Sequence, residues 1–417
     1  MAKKIHYHSD CSFFAGCENM LAVLFNSQRL LKQYEVSFSY AYSAIYLQGF
    51  KRKVLNKFPI YAYNFPALTD YYKLPNWMPL LIRKIIMACL RLILNIPLMV
   101  YEVITLYVLF RKIKPDVLHI NNGGYPAARS ALAAAIAGKL AAIPNVLIVV
   151  NNMAVDYRHY SRWFDYPVDC LVVKSVDLFV TGSKAAAAQL QSVLALPAHK
   201  ITSLHNGIPV RLGAEKLCET RSRLGLNNFD GVIFGVVALL VPRKGHQVLL
   251  DAILEISKQV SEGSSRFKVL IEGHGPLRNE LVSFVKTHAL NDYVEFVGDE
   301  ENIVDFMAML DVLILPSVAD EDFPNVILEA MALGKPVIAS RLAGVPEQVS
   351  EGETGLLVSP LSTKQLALAI IELCNNARLR KQMGEAAVNK FQNVFTAEVA
   401  VKNYLTLYQS LIERKKI

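Results

Sequence analysis

Residues 316–340 read PSVADEDFPNVILEAMALGKPVIAS, and the parsing of this stretch decides the fold. Ahead of it, DVLIL (311–315) is almost continuously apolar, as a strand covered on both faces of a parallel sheet is. The chain leaves that strand at Pro316 and passes through the acidic loop SVADED. Pro324 suits the first turn of a helix, where its missing N–H loses nothing, and Gly334 suits the end. A helix over 324–333 is therefore predicted, followed by the strand KPVIAS. Strand, helix and strand in succession point to a parallel α/β sheet.

The same alternation runs outward in both directions. Toward the amino terminus, KKIHYHS, YEVSFSYAY, DVLHI and VLIVV read as strands, with CENMLAVLFNSQRLLKQ and AARSALAAAIAGKLAA as helices. After LHNGIPVRLGAEK the pattern restarts with GVIFGVVALL, the helix HQVLLDAILEISKQV and the strand FKVLIEG. Two separate runs predict two doubly wound, Rossmann-like domains, with a boundary near 205–215. No fixed short period recurs, which excludes a solenoid.

Composition narrows the function. With 53% hydrophobic and 19% charged residues, the chain of 417 is more apolar than an average soluble enzyme, so membrane contact is an expectation. Its six cysteines show no C-x-x-C pair and no zinc spacing, which reads as reduced, cytosolic thiols. The opening MAKKIHYHSDCS shows no secretory signal. Residues 1–210 carry 22 Lys+Arg against 10 Asp+Glu, a net +12; the remainder carries 22 against 26, a net −4. A basic amino-terminal half predicts an anionic surface or acceptor as its partner. Nucleic acid is not expected: there is no finger spacing, no RNA-binding signature and no Lys/Arg stripe interleaved with aromatics.

The segment 79–113 is the least ordinary. Residues 92–110 form a run about 28 Å long as a helix, against a hydrocarbon core of about 30 Å. Asn95, Pro97 and Glu102 interrupt it, which argues against spanning. Arg83, Lys84 and Arg91 before it, and Arg111, Lys112 and Lys114 after it, fit a helix lying in the membrane interface; the alternative is a helix packed on the first sheet.

The helix starting at Pro324 offers free N–H groups and a positive dipole end at 323–326, an anion site suited to a diphosphate. Glu321 precedes that site and Glu329 lies more than a turn inside the helix, so the pair is expected to face one ligand from two sides, accepting hydrogen bonds from sugar hydroxyls. Acidic residues near a helix start also simply complement its dipole. Asp320 and Asp322 match a D-x-D pattern used elsewhere to hold a divalent metal. Lys244 in RKGHQVLLDAI is placed to meet phosphate, Gly273 and Gly275 form a turn after a strand, and LAGVPEQ adds a glycine turn with Glu347.

Over most of 230–360, in order, these motifs resemble the carboxy-terminal domain of the retaining glycosyltransferases of family 4, whose signature E-x7-E is matched by Glu321 and Glu329. The resemblance implies the GT-B fold: two Rossmann-like domains facing a cleft, here 1–207 for the acceptor and 208–395 for the nucleotide sugar, with a helix over 396–417 returning to the first. It implies that Glu321 lies by the donor sugar and Glu329 by the ribose, while backbone near Phe323, Pro324 and Asn325 reaches the sugar and diphosphate. Lys244, helped by Arg243, would stabilise the leaving diphosphate. The family usually has Gly-Arg-Leu before the lysine loop; here Ala238, Leu239 and Leu240 stand there, and Arg243 is the candidate replacement. In the first domain Gly16 and His119 are candidates toward the acceptor side, and Asn151 stands where many members have histidine.

The implied activity is transfer of a sugar from a UDP- or GDP-sugar to a glycan or lipid-linked acceptor, in bacterial cell-surface polysaccharide or lipopolysaccharide synthesis. No metal or other cofactor is expected, and the protein is expected on the inner face of the membrane. The alternatives are a metal-dependent transferase using Asp320 and Asp322, a nucleotide-sugar epimerase, and a non-catalytic carbohydrate-binding protein.

Overall fold

The computed structural model describes residues 2–11, 13, 14, 16, 18–65, 75, 77–126, 128–211, 213, 217–258, 267–298, 302–319 and 321–414. The chain divides into two compact units, 1–204 with 401–417, and 205–400.

In the first unit β1 (Lys3–Ser9) leads through α1 (Glu18–Phe25) and α2 (Gln28–Gln33) to β2 (Tyr34–Ala41), then α3 (Ala44–Lys53) and β3 (Ile60–Tyr63). The single helix expected between β1 and β2 is broken because the Ser27 hydroxyl accepts from the Leu30 N–H at 3.3 Å and starts a new helix. The long α4 (Leu80–Ile113) runs unbroken past Pro97. It is followed by β4 (Val117–Asn122), α5 (Arg129–Leu140), β5 (Asn145–Val150), a 3-10 turn over 160–165, α6 (Tyr166–Ser175), β6 (Leu178–Thr181), α7 (Lys184–Leu194) and β7 (Ile201–Ser203).

All seven strands are parallel, in the order β3-β2-β1-β4-β5-β6-β7. The alanine-rich α5 is buried along nearly its whole length, because side chains of that size let α4 and α6 close over it.

The second unit repeats the plan: α8 (Leu217–Arg223), β8 (Val232–Val237), α9 (His246–Ser257), β9 (Phe267–Glu272), α10 (Arg278–Thr287), β10 (Val294–Gly298), α11 (Ile303–Met309) and β11 (Val312–Leu315). Then come α12 (Asn325–Ala332), β12 (Val337–Ser340), α13 (Val345–Gln348), β13 (Gly355–Val358), α14 (Thr363–Asn375) and α15 (Ala377–Lys390). The final helix, α16 (Ala397–Arg414), starts here and continues into the first unit.

This six-stranded sheet is parallel in the order β10-β9-β8-β11-β12-β13. Strand order therefore reverses between β8 and β11, and in the first unit between β1 and β4. In sheets of this kind ligands bind beyond the carboxyl ends of the strands at that reversal.

Candidate active site

The loops after β8 and β11, the two strands at the reversal of the second sheet, carry Lys244 and Glu321. They meet: the Lys244 Nζ donates to Glu321 Oε2 at 2.5 Å, the Ser317 hydroxyl donates to the same oxygen at 2.9 Å, and Arg243 Nη1 lies 3.6 Å from it. Lys244 and Glu321 are both largely buried while Arg243 is partly open to water. Two cations on one carboxylate bring donors to the mouth of the sheet where an incoming diphosphate could meet them.

Backbone holds the two loops together. The Val318 N–H donates to the Arg243 carbonyl at 2.8 Å, and Gly245, at φ +70°, passes so close to Pro316 that a Cβ would lie 1.9 Å from its carbonyl oxygen. Gly273 and Gly275 serve a similar end. A Cβ on either would strike the carbonyls of Ala238 or Leu240 within 2.4 Å, so these glycines let the turn after β9 pack on the turn after β8. His246, which opens α9, is buried with neither ring nitrogen partnered, and burial, with Lys244 second, lowers its pKa to about 4. It is a neutral ring behind the lysine.

At the start of α12, Pro324 is the N-cap and makes no side-chain cap, so the N–H groups of Asn325 and its successors begin the helix without one. The Phe323 ring is buried, stacked on His205 at 5.0 Å with the planes 11° apart, and edge-on to Phe395. His205 Nε2 is 3.0 Å from Glu347 Oε2, and the Gln348 amide donates to the Pro324 carbonyl at 3.1 Å. Phe323 thus fixes the helix mouth from behind, and only its backbone is available to a ligand. Sequence reading missed His205, because nothing local ties it to a residue 118 positions on.

Glu329 lines a hollow with Ile208, Arg211, Ile303, Met307 and Leu333. Asp320 lies outside the described residues, and Asp322 is buried.

In the first unit Gly16 is an exposed turn at φ +44° with nothing near its Cβ position. Asn151 donates to Asn121 Oδ1 and to the Asn122 carbonyl, both at 2.9 Å, tying β5 to the end of β4. His119 requires correction. It stands within β4, buried with its Nδ1 2.7 Å from the Tyr408 hydroxyl and its ring beside Tyr7 and Tyr404. Burial holds its pKa down to about 3, so it is a neutral core residue under α16 rather than one that meets an acceptor.

Glu18, the first residue of α1, is fully buried. It accepts from Ser9 (2.7 Å), Tyr46 (2.8 Å) and Asn121 (3.0 Å), and burial raises its pKa.

The sequence model for Glycosyl transferases group 1 matches residues 222–390, and that for Glycosyltransferase Family 4 matches residues 60–212. The chain belongs to the family 4 glycosyltransferases. Among curated members, N-acetyl-alpha-D-glucosaminyl L-malate synthase of Bacillus anthracis is 30% identical over 224 residues, 54% of this chain and 57% of that protein. The chain spans about half the length of the curated relatives it matches first.

Two solved structures are similar over nearly their whole length. HepE of Anabaena in complex with UDP has a TM-score of 0.75 at 20% identity, covering 98% of this chain and 100% of that one. A glycosyltransferase from Rickettsia africae has a TM-score of 0.76 at 16% identity, covering 98% and 99%. The fold is therefore GT-B, built of two doubly wound units. Leu239 is about half exposed, and the guanidinium that reaches Glu321 beside Lys244 belongs to Arg243.

Proposed function

We propose that this family 4 member is a retaining glycosyltransferase that moves a sugar from a UDP- or GDP-sugar to a glycan or lipid-linked acceptor in bacterial cell-surface polysaccharide or lipopolysaccharide synthesis, working as a peripheral protein on the inner face of the membrane. One observation carries the reading: Lys244, Arg243 and Ser317 converge on Glu321 beyond the carboxyl ends of β8 and β11. HepE, which shares the fold, has been solved with UDP and with UDP-glucose, which supports a nucleotide-sugar donor.

As an acceptor hydroxyl forms its bond to the anomeric carbon and the bond from that carbon to the diphosphate breaks, negative charge grows on the leaving oxygen, which takes up the hydroxyl's proton. Lys244 and Arg243 are placed to meet it there, where a fixed cation lowers the barrier most. The Lys244–Glu321 contact then loosens, and sugar hydroxyls take the vacated place on the carboxylate. With two cations assigned to the leaving group, no resident metal is invoked.

The test is donor hydrolysis and transfer by purified Glu321→Gln and Lys244→Ala proteins. Each should lose roughly 10²–10³ in kcat with the circular dichroism spectrum kept. Unchanged turnover in both would sink the assignment, and donor interconversion without transfer would point to an epimerase.

A further inference from the structure

Over residues 93–108 the outward face of α4 is apolar although its inward face already packs on the core. Met99, Leu106, Leu109 and Phe110 are buried in the first unit's core, whereas Ile93, Ile96, Val100, Ile104 and Val108 are each more than half exposed. Their three- and four-residue spacing makes one stripe, about 22 Å long. Glu102, the only acid in the helix, does not lie on it. It turns inward and accepts from Arg129 Nη2 at 2.7 Å and Nε at 2.9 Å, where it is buried. The charge that opposed membrane contact in the sequence is thus removed from the outer face.

A second element offers the same chemistry. Trp163, Phe164, Tyr166 and Leu171 are each more than half exposed, on the 160–165 turn and on α6, which packs against α5 as α4 does. Their backbone is held rigidly by buried Arg162. It donates to Asp165 and Asp169 at 2.7 Å and to the Val155 carbonyl at 3.1 Å, and it lies over the Tyr125 and Tyr157 rings. The Trp163 indole N–H donates to the Tyr157 carbonyl at 2.9 Å, which fixes the ring while most of its surface, like that of Phe164, stays open to solvent. Cations bracket the stripe: Arg83 toward its start, and exposed Arg111, Lys112 and Lys114 past its end.

We propose that the surface formed by α4 and residues 160–171 docks the protein on an anionic phospholipid bilayer, with the axis of α4 in the interface plane. Charge selects this occupant: an acid-free apolar stripe with cations at both ends, on a half of the chain carrying net +12, matches an anionic headgroup layer over an apolar interior. Trp163 and Tyr166 suit the boundary between the two. The proposal rests on the membrane-peripheral reading above and names the surface that performs it.

The test uses the full chain in sucrose-gradient flotation, with vesicles of phosphatidylcholine alone and of three parts phosphatidylcholine to one part phosphatidylglycerol. The protein should float with the anionic vesicles only, less so in half-molar salt. Ile96→Asn with Ile104→Asn, and separately Trp163→Ser with Phe164→Ser, should each lower the bound fraction at least about fivefold. Melting curves check that these exposed changes leave the fold intact.

Absence of flotation, or variants that float like the parent, overturns the proposal. So does a parent that dimerises through this face, seen as variants turning monomeric without losing lipid. Lipid-free donor turnover separates the two readings: vesicle binding without turnover keeps this surface and loses the transferase, and turnover without binding does the reverse.

Discussion

At the scale of single residues, Gly245 decides whether Lys244 and Glu321 belong to one site. The two are 77 positions apart, and they meet because the peptide at Gly245 lies directly against Pro316. Gly245→Ala should therefore cost about 3 kcal/mol in urea unfolding and abolish donor turnover, since the added methyl must push the two loops apart. Gly298 also has positive φ, +85°, but open space where a Cβ would go. Gly298→Ala should cost about 1 kcal/mol and leave turnover near the parent's. Equal effects of the two substitutions would contradict this account.

Among elements, α4 depends on one buried pair. Removing Arg129 leaves the Glu102 carboxylate inside the core without its cation, and burial already raises the Glu102 pKa. Arg129→Leu should destabilise by about 3–5 kcal/mol, while the double change Glu102→Leu with Arg129→Leu should recover most of the loss. Thermal melts of the three proteins decide it.

The strand β1 supplies a second prediction. His6 sits between the Ser37 and Ser39 hydroxyls and His8 between Ser39 and Ser130, all at 2.8–3.1 Å. Burial lowers both pKa values to about 3, His8 adding to the effect on His6, and His119 on the neighbouring β4 is held equally low.

As pH falls below about 6.5, the unfolded chain takes up protons at these three positions while the native state does not, so stability falls. Near pH 5 this linkage amounts to about 2 kcal/mol per histidine. Melting temperature should drop steeply from pH 7 to pH 5, and His8→Gln should flatten that slope. A level profile in the parent would show that these rings are not held neutral.

For the whole molecule, charge divides as +12 over residues 1–210 and −4 over the rest. The proposed donor site lies in the acidic half, yet it brings two cations, Lys244 and Arg243, together at Glu321. Extensive EDTA treatment should therefore leave donor turnover within about twofold of the untreated protein. A collapse restored by one divalent ion would revive the reading based on Asp320 and Asp322.

Much of this molecule was legible in order of residues alone. DVLILPS and KPVIAS announced their strands because a strand buried on both faces must be apolar along its length. Pro324 and Gly334 marked α12 because each has a backbone preference that acts locally. Alternation of such elements was enough for two doubly wound units, and the spacing of Glu321 and Glu329 for the family.

What tertiary structure alone decided were relations across long separations and the direction in which side chains point. Lys244 against Glu321, Glu102 turned toward Arg129, His119 sealed beneath Tyr408 and the exposed Trp163-Phe164 pair all depend on which elements become neighbours in space. Local backbone preference writes the elements into the sequence, but a contact between distant residues costs chain entropy that only the assembled core offsets.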